Sequence, residues 1–164
     1  MNSLLSLVNE IIFIPNKLFV SDFQVEKESQ EYGACRFEIG NQKIISRNAK
    51  RTPTKTGQFV TIWKRNTNGE TCPFDETDDF DLLLINAQYG QNLGQFIFPK
   101  ELLVAKGIIS NGQEIGKRGI RVYPPWDTTS SQQAIKSQLW QNQFFLNAES
   151  SKHDVARLYT KISS

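Results

Sequence analysis

Short apolar segments of strand length, separated by turn-forming residues, are the feature that most constrains the fold of this chain. Residues 34–39 alternate apolar and polar side chains, Gly40 and Asn41 follow, and residues 43–47 are again strand-like. Two such segments joined by a short Gly-Asn connection are typical of a β-hairpin. The same criteria predict further strands over residues 57–65, 80–86, 95–98 and 119–123.

Helices are predicted to flank these strands. The helical segments indicated by apolar spacing and capping residues are 4–12, 99–107, 130–146 and 154–162. Pro15 ends the first segment, and Ser130 or Ser131 supplies the N-cap of the third. Residues 18–25 fit either a helix or an extended connection. We therefore predict one α/β (α+β) domain over residues 1–164, with a mainly antiparallel, mixed sheet of about five to six strands flanked by helices.

Composition excludes several classes of protein. Hydrophobic residues make up 38% of the 164 residues, which is enough for a packed core. The first apolar stretch has no preceding Lys or Arg and is broken by Asn9 and Glu10, so neither a signal peptide nor a membrane span is expected. Cys35 and Cys72 stand far apart and indicate neither a disulfide framework nor a zinc site. A cytoplasmic protein without membrane contact is expected, and its oligomeric state stays open.

The distribution of charge is more informative than the net charge of +2. Residues 43–65 contain no Asp or Glu and seven basic side chains, which are Lys43, Arg47, Lys50, Arg51, Lys55, Lys64 and Arg65. Residues 47–55 are interpreted as a loop between two strands that also carries Thr52 and Thr54. Basic side chains, hydroxyls and free backbone N–H groups together suit phosphate oxygens. The alternative, a solvated loop of surface charges, stays open.

A second basic cluster, formed by Lys117, Arg118 and Arg121, and two aromatic residues extend this hypothesis. Tyr123 and Trp126 flank Pro124-Pro125 at a strand end, where an exposed ring can stack on a base. Trp63 and Trp140 lie in a strand and a helix and are assigned to the core. The complete set of predicted nucleic-acid or phosphate-binding residues is Arg47, Lys50, Arg51, Thr52, Thr54, Lys55, Gln58, Lys64, Arg65, Lys100, Lys117, Arg118, Arg121, Tyr123 and Trp126.

Five sequence blocks resemble the MepB-like family. The most specific covers residues 47–65 and reads RNAKRTPTKTGQFVTIWKR. Blocks with matching order and spacing follow at residues 73–81, 94–100, 116–126 and 132–141, so the resemblance extends over roughly residues 25–146. It implies an α/β fold distantly related to restriction-endonuclease-like cores, and an interaction with nucleic acid. Proteins like this occur beside multidrug efflux pumps in some bacteria, and the resemblance implies no defined reaction.

A nuclease of the PD-(D/E)XK type is the alternative enzymatic hypothesis. Such a site needs carboxylates that hold a divalent metal ion and a lysine near the reacting phosphate. Asp81, with Asp79 nearby, precedes an apolar strand as such an acid does, but Ile97 stands where the lysine is expected. Turn and capping roles for these aspartates are the competing interpretation. No metal ligand is assigned beyond the candidates Asp79 and Asp81.

Three functions remain open. The first is a nucleic-acid or nucleotide binding module that uses the basic segment. The second is a divergent metal-dependent nuclease or phosphodiesterase, the one case in which a cofactor, a divalent metal ion, is expected. The third is a protein-interaction or regulatory partner whose basic segment meets an acidic surface.

Overall fold

The computed structural model describes residues 1–159. Its first half contains, in order, α1 (Ser3–Val8), a π-helical turn (Asn9–Phe13), a 3-10 turn (Ile14–Asn16), β1 (Val20–Val25), a second 3-10 turn (Gln30–Tyr32), β2 (Cys35–Ile39), β3 (Gln42–Asn48), β4 (Lys50–Thr52), β5 (Lys55–Thr61), β6 (Trp63–Arg65) and β7 (Thr71–Pro73). The second half contains β8 (Leu82–Tyr89), β9 (Asn92–Pro99), α2 (Lys100–Ala105), β10 (Gly119–Val122), α3 (Gln132–Asn142), β11 (Phe145–Leu146) and α4 (Lys152–Tyr159).

A six-stranded mixed sheet forms the centre of the fold. Its strand order is β1-β2-β3-β8-β9-β11, and every neighbouring pair is antiparallel except β3 and β8. The predicted hairpin at Gly40 and Asn41 connects β2 to β3, with Ile39 opposite Gln42. The predicted α+β class with a mainly antiparallel sheet of five to six strands is thus confirmed.

Hydrophobic cores cover both faces of this sheet because successive side chains of a strand point to opposite faces. On β8, Leu82 and Leu84 belong to the core that α1 and α4 cover. Leu83 and Ile85 belong to the second core, which includes residues of β5, β10 and α2. The central strand is therefore apolar on both faces, as expected for a strand buried between two layers.

A smaller antiparallel sheet, β10-β5-β4, packs over the second core. This corrects the prediction of a polar loop over residues 48–56, since Lys50 and Phe59 are register partners in a hairpin. The Ala49 N–H also donates to the Asn86 carbonyl at 2.9 Å, which anchors the hairpin to the central sheet. Strand pairing satisfies the backbone groups of this segment, while its polar side chains keep one face toward solvent.

Most other differences from the predicted elements concern segment ends, and β7 (Thr71–Pro73) is an additional strand that was not predicted. The ambiguous segment 18–25 contains β1 (Val20–Val25), and the predicted strand over residues 57–65 is divided between β5 and β6. Helix α3 begins after its N-cap Ser131, as predicted, but ends at Asn142 because residues 145–146 pair with β9. Helix α4 covers part of the predicted 154–162 segment, and residues 160–162 lie outside the described residues. Within residues 1–159, the helices lack the length and apolar composition that crossing a membrane requires.

Candidate nucleic-acid interface

A groove of about 400 Å³ runs beside the free edge of β10, between the small sheet and α3. We call it the cationic groove, and its basic and aromatic lining residues are Lys55, Phe59, Lys106, Lys117, Arg121, Tyr123 and Trp140. Helix α3 adds the polar side chains Gln133, Ser137 and Gln141. The groove thus combines charge, aromatic surface and hydrogen-bonding groups in one concave space.

The strand register explains why these side chains meet. Arg121 on β10 is the partner of Phe59 on β5, and Gly119 is the partner of Thr61. Residues directly opposite each other share a face of the sheet. Arg121 and Phe59 line the groove, whereas Val60 and Val122 of the alternate positions belong to the core.

Gln141 fixes α3 to the strand. Its side-chain carbonyl accepts from the Tyr123 N–H at 2.8 Å, and its amide donates to the Arg121 carbonyl at 3.1 Å. This buried glutamine therefore satisfies backbone groups along the free edge of β10. Sequence reasoning missed it, because a glutamine in a helix carries no local sign that it bonds to backbone groups 18 and 20 residues earlier.

Four cations share the groove, and the described lining residues include no acidic side chain. Within residues 1–159, no carboxylate lies within 4.0 Å of the charged nitrogens of Lys55, Lys106, Lys117 or Arg121. The Arg121 guanidinium donates instead to Thr52 Oγ1 at 3.0 Å and to the Thr56 carbonyl at 3.2 Å. Like charges held together in a cleft focus a positive potential that attracts anions.

Aromatic rings form part of the groove wall. Trp140 packs on Phe98 with ring centroids 5.2 Å apart, and Lys106 Nζ lies 5.2 Å from the Trp140 ring centroid. The indole is half-buried, so the predicted packing role of Trp140 and its position in the groove coexist. Lys106, at the end of α2, was missed by sequence reasoning, since its neighbours in the chain are not basic.

A second, smaller cleft of about 220 Å³ adjoins the cationic groove. It shares Lys55, Arg121 and Tyr123 with the larger space. Its remaining lining residues are Thr56, Ser130, Ser131 and Ala134. The three shared residues therefore form a common wall, and two of them, Lys55 and Arg121, are cations.

Other members of the predicted set lie on the same hairpin but outside the groove. Lys50 Nζ lies 4.8 Å from the Tyr32 ring centroid, and the Arg51 guanidinium lies 3.7 Å from that of Tyr89. Both cations are exposed, and so is Thr54 in the hairpin turn. These cation–π contacts place the two cations over the partly buried Tyr32 ring and the exposed Tyr89 ring.

Two predicted surface residues are buried instead. Arg47 has no exposed surface, and its Nη2 donates to Glu26 Oε2 at 3.1 Å. Burial lowers the pKa of the Arg47 guanidinium, and the charge of Glu26 opposes that shift. Gln58 donates to the Gln88 carbonyl at 3.2 Å. Both residues connect parts of the fold, which corrects their assignment to an exposed phosphate-binding set.

The remaining predicted cations bond with groups away from the groove. Lys64 pairs with Asp78 at 2.5 Å and Arg65 with Glu28 at 2.8 Å. Lys100 Nζ donates to the Glu76 carbonyl at 3.0 Å, and Arg118 donates to the Thr71 carbonyl at 3.0 Å. The structure therefore does not gather these four residues with the groove.

The other two tryptophans, Trp126 and Trp63, contact side chains of the protein outside the groove. Trp126 is half-buried and meets Phe145 edge-on, with centroids 5.8 Å apart. Trp63, assigned to the core from the sequence, is only half-buried on β6 and is part of neither hydrophobic core described above, with the Arg65 guanidinium 5.4 Å from its ring centroid. Of the predicted aromatic pair, only Tyr123 lines the groove.

The aspartates of the nuclease hypothesis are held by lysine. Asp79 pairs with Lys43 Nζ at 2.6 Å, and this hydrogen bond lowers the pKa of Asp79. Asp81 Oδ2 accepts from the Lys43 N–H at 2.8 Å. Within residues 1–159, no three His, Cys, Asp or Glu side chains are grouped to hold a metal ion. Both aspartates contact Lys43, and their role as metal ligands stays a prediction.

Comparison with known proteins finds one matching family and a similar solved structure. The sequence profile of the MepB-like family matches residues 26–147, which include every groove residue named above. A crystal structure of MepB is 36% identical, with a TM-score of 0.80, and the alignment covers 92% of this chain and 100% of that one. No curated protein matches the sequence.

Proposed function

The chain belongs to the MepB-like family, and we propose that this member binds nucleic acid or nucleotides in the cationic groove. The observation that carries the proposal is the group of four cations without a carboxylate partner among residues 1–159. They line the same cleft as Phe59, Tyr123 and Trp140. Positive charge beside aromatic rings suits a ligand that carries both phosphates and bases.

The grouping of four cations around one cleft supports a ligand at this place. Lys43, Lys64 and Arg65 each form an ion pair with an aspartate or glutamate. Among residues 1–159 the groove cations form no ion pair, as is also true of the exposed Lys50 and Arg51, but the four lie together around one cleft. Phosphate oxygens supply the missing negative charge and accept hydrogen bonds from ammonium and guanidinium groups.

In this proposal the aromatic side chains of the groove bind the bases of the ligand. A half-buried tryptophan, held against Phe98, presents a ring with little conformational freedom to lose on binding. Stacking on such rings tolerates any base, because every base has a π-face. The proposal therefore predicts affinity with weak sequence preference.

The test is binding of labelled single- and double-stranded oligonucleotides at two salt concentrations, with Mg²⁺ or Mn²⁺ present and product length checked. We expect saturable binding that weakens steeply with salt, since phosphate contacts release counterions. Replacing Lys55, Lys106 and Lys117 by Ala should weaken it by at least about tenfold and flatten the salt dependence.

A matched control replaces the exposed lysines Lys17, Lys27 and Lys152, which removes the same charge away from the groove. Equal losses in both triple variants would indicate nonspecific attraction and overturn the assignment of the groove. Shortened product would indicate catalysis. Absence of binding at low salt would reject the proposal and leave a protein partner as the hypothesis to pursue.

A further inference from the structure

The common wall between the cationic groove and the adjoining smaller cleft points to a more specific ligand. We propose that the two spaces hold consecutive nucleotides of one single strand, with the connecting phosphodiester against Lys55 and Arg121. This inference rests on the proposed function, since it assumes that the groove binds a nucleotide. It adds a second nucleotide site, formed by Thr56, Ser130 and Ser131 on the far side of the wall.

The position of the charges carries the argument. Two of the three residues that both spaces share are cations, Lys55 and Arg121. Lys106 and Lys117 line only the larger space. A polynucleotide carries its charge between successive nucleosides, so a strand that spans both spaces places one phosphate at the shared wall. The flanking phosphate on the larger side then lies toward Lys106 and Lys117.

The two spaces also differ in the surface that they offer. The larger one, about 400 Å³, is bounded by Phe59 and Trp140, which suit the flat face of a base. The smaller one, about 220 Å³, is lined by the hydroxyl side chains of Thr56, Ser130 and Ser131 and shares the Tyr123 ring. Hydroxyls donate to and accept from sugar and base edges alike, so this side accommodates a nucleotide without stacking it on both faces.

The concave shape favours a single strand over a duplex. Both spaces are recessed between a strand edge and α3, so a base must leave its stack to enter. Bases of a single strand are free to do so, whereas a duplex must first break pairing and stacking. The geometry is therefore suited to unpaired nucleotides.

The test compares a labelled mononucleotide, the 5′-phosphorylated dinucleotide, a single-stranded tetranucleotide and its matched duplex on the full chain. We expect the dinucleotide to bind at least about tenfold more tightly than the mononucleotide, because the second site engages a ligand that is already held. The single strand should also bind more tightly than the duplex.

Ser130→Trp fills the smaller cleft and should reduce the ratio of dinucleotide to mononucleotide affinity to about one. Thr67→Trp, in the exposed β6–β7 turn, is the matched control and should keep the ratio. Ser130→Asp, which places a negative charge in the cleft, repeats the test if the tryptophan variant does not fold.

The two proposals fail in different ways. Equal affinity for mononucleotide and dinucleotide, equal affinity for single strand and duplex, or an unchanged ratio in Ser130→Trp would overturn the two-nucleotide site while leaving nucleotide binding in place. Absence of binding for every probe would reject the proposed function itself.

Discussion

The ring of Tyr123 lies against the backbone of Gly57, and this contact fixes one wall of the cationic groove. Gly57 has a φ of 84°, and a methyl group at its Cα would come within 2.7 Å of both the Tyr123 ring and the Val122 carbonyl. The glycine thus provides both a left-handed backbone and the space that the ring occupies. Position 57 controls the groove although glycine contributes no side chain to it.

Gly57→Ala should therefore displace the Tyr123 ring and weaken oligonucleotide binding. The left-handed backbone costs any other residue about 1–2 kcal/mol of stability, so a control with the same strain is needed. Gly69→Ala provides it, because Gly69 has a φ of 78° with open space around it. Denaturant unfolding should show a larger loss of stability in Gly57→Ala, because its methyl group also clashes with the Val122 carbonyl, and only Gly57→Ala should weaken binding. Equal binding by the two variants would contradict the role assigned to Tyr123.

Glu26→Gln should destabilise the protein strongly. It leaves the fully buried Arg47 guanidinium without its counter-ion, and a buried charge that loses its partner costs about 3 kcal/mol or more. Glu28→Gln is the matched control, because it breaks the largely exposed pair with Arg65, worth less than about 1 kcal/mol. Urea unfolding measures both. A similar loss in the two variants would show that burial of Arg47 does not depend on Glu26.

The two cysteines should differ sharply in reactivity toward a thiol reagent. Burial raises the pKa of Cys35 to about 11, so only about one thiol in a thousand is ionised at pH 8. Cys72 is half-exposed on β7. In the native protein Cys72 should react promptly, and Cys35 should react only after unfolding. A Cys72→Ser variant that still reacts promptly would contradict the buried environment of Cys35.

The strands and caps of this fold could be predicted because their signals are local. Alternation on β2, the Gly40-Asn41 turn and the N-cap Ser131 each depend on a few adjacent residues. The hairpin of β4 and β5 was missed because the polar side chains of residues 48–56 are typical of a loop. Only the pairing of β4 with β5 and the hydrogen bond from Ala49 to Asn86 distinguish this segment from a loop. Hydrogen bonds to distant strands leave no trace in local composition.

The candidate site was harder to predict for the same reason. Counting charges along residues 43–65 identified Lys55 but overlooked that Glu26, Glu28, Asp78 and Asp79 return from other segments to pair with four of the cations. Tertiary structure also adds Lys106 and the α3 side chains to the groove. A linear count measures charge density in the sequence, whereas a binding surface depends on which charges remain unpaired.

Asp127 gives the hairpin surface a dependence on pH. Burial raises the pKa of its carboxyl group, and the charge of Arg51 opposes that shift. Because the folded-state pKa lies above the unfolded value, the ionised carboxylate destabilises the fold. This penalty is lost as pH falls through the folded-state pKa, so Asp127→Asn should increase the free energy of unfolding at neutral pH and not in acid.

Asp127→Asn should also change the affinity for oligonucleotides. Removing the negative charge near Arg51 should strengthen oligonucleotide binding at neutral pH. In the unmodified protein, protonation of Asp127 should strengthen binding as the pH falls, and Asp127→Asn should reduce that increase. Urea unfolding and binding, each followed from neutral pH down to about pH 4, measure the two effects. A stability difference that grows in acid would have the wrong sign and would contradict the raised pKa.

The pairing of Arg47 with Glu26 has a consequence for the motions of the sheet. Glu26 directly follows β1, the strand at one edge, while Arg47 belongs to β3, two strands inward. Detaching β1 from the sheet also withdraws the counter-ion of an interior charge. Local opening at this edge is therefore coupled to loosening of β3, and amide hydrogens of the outermost strand exchange with water through a shared, cooperative opening instead of by independent fraying.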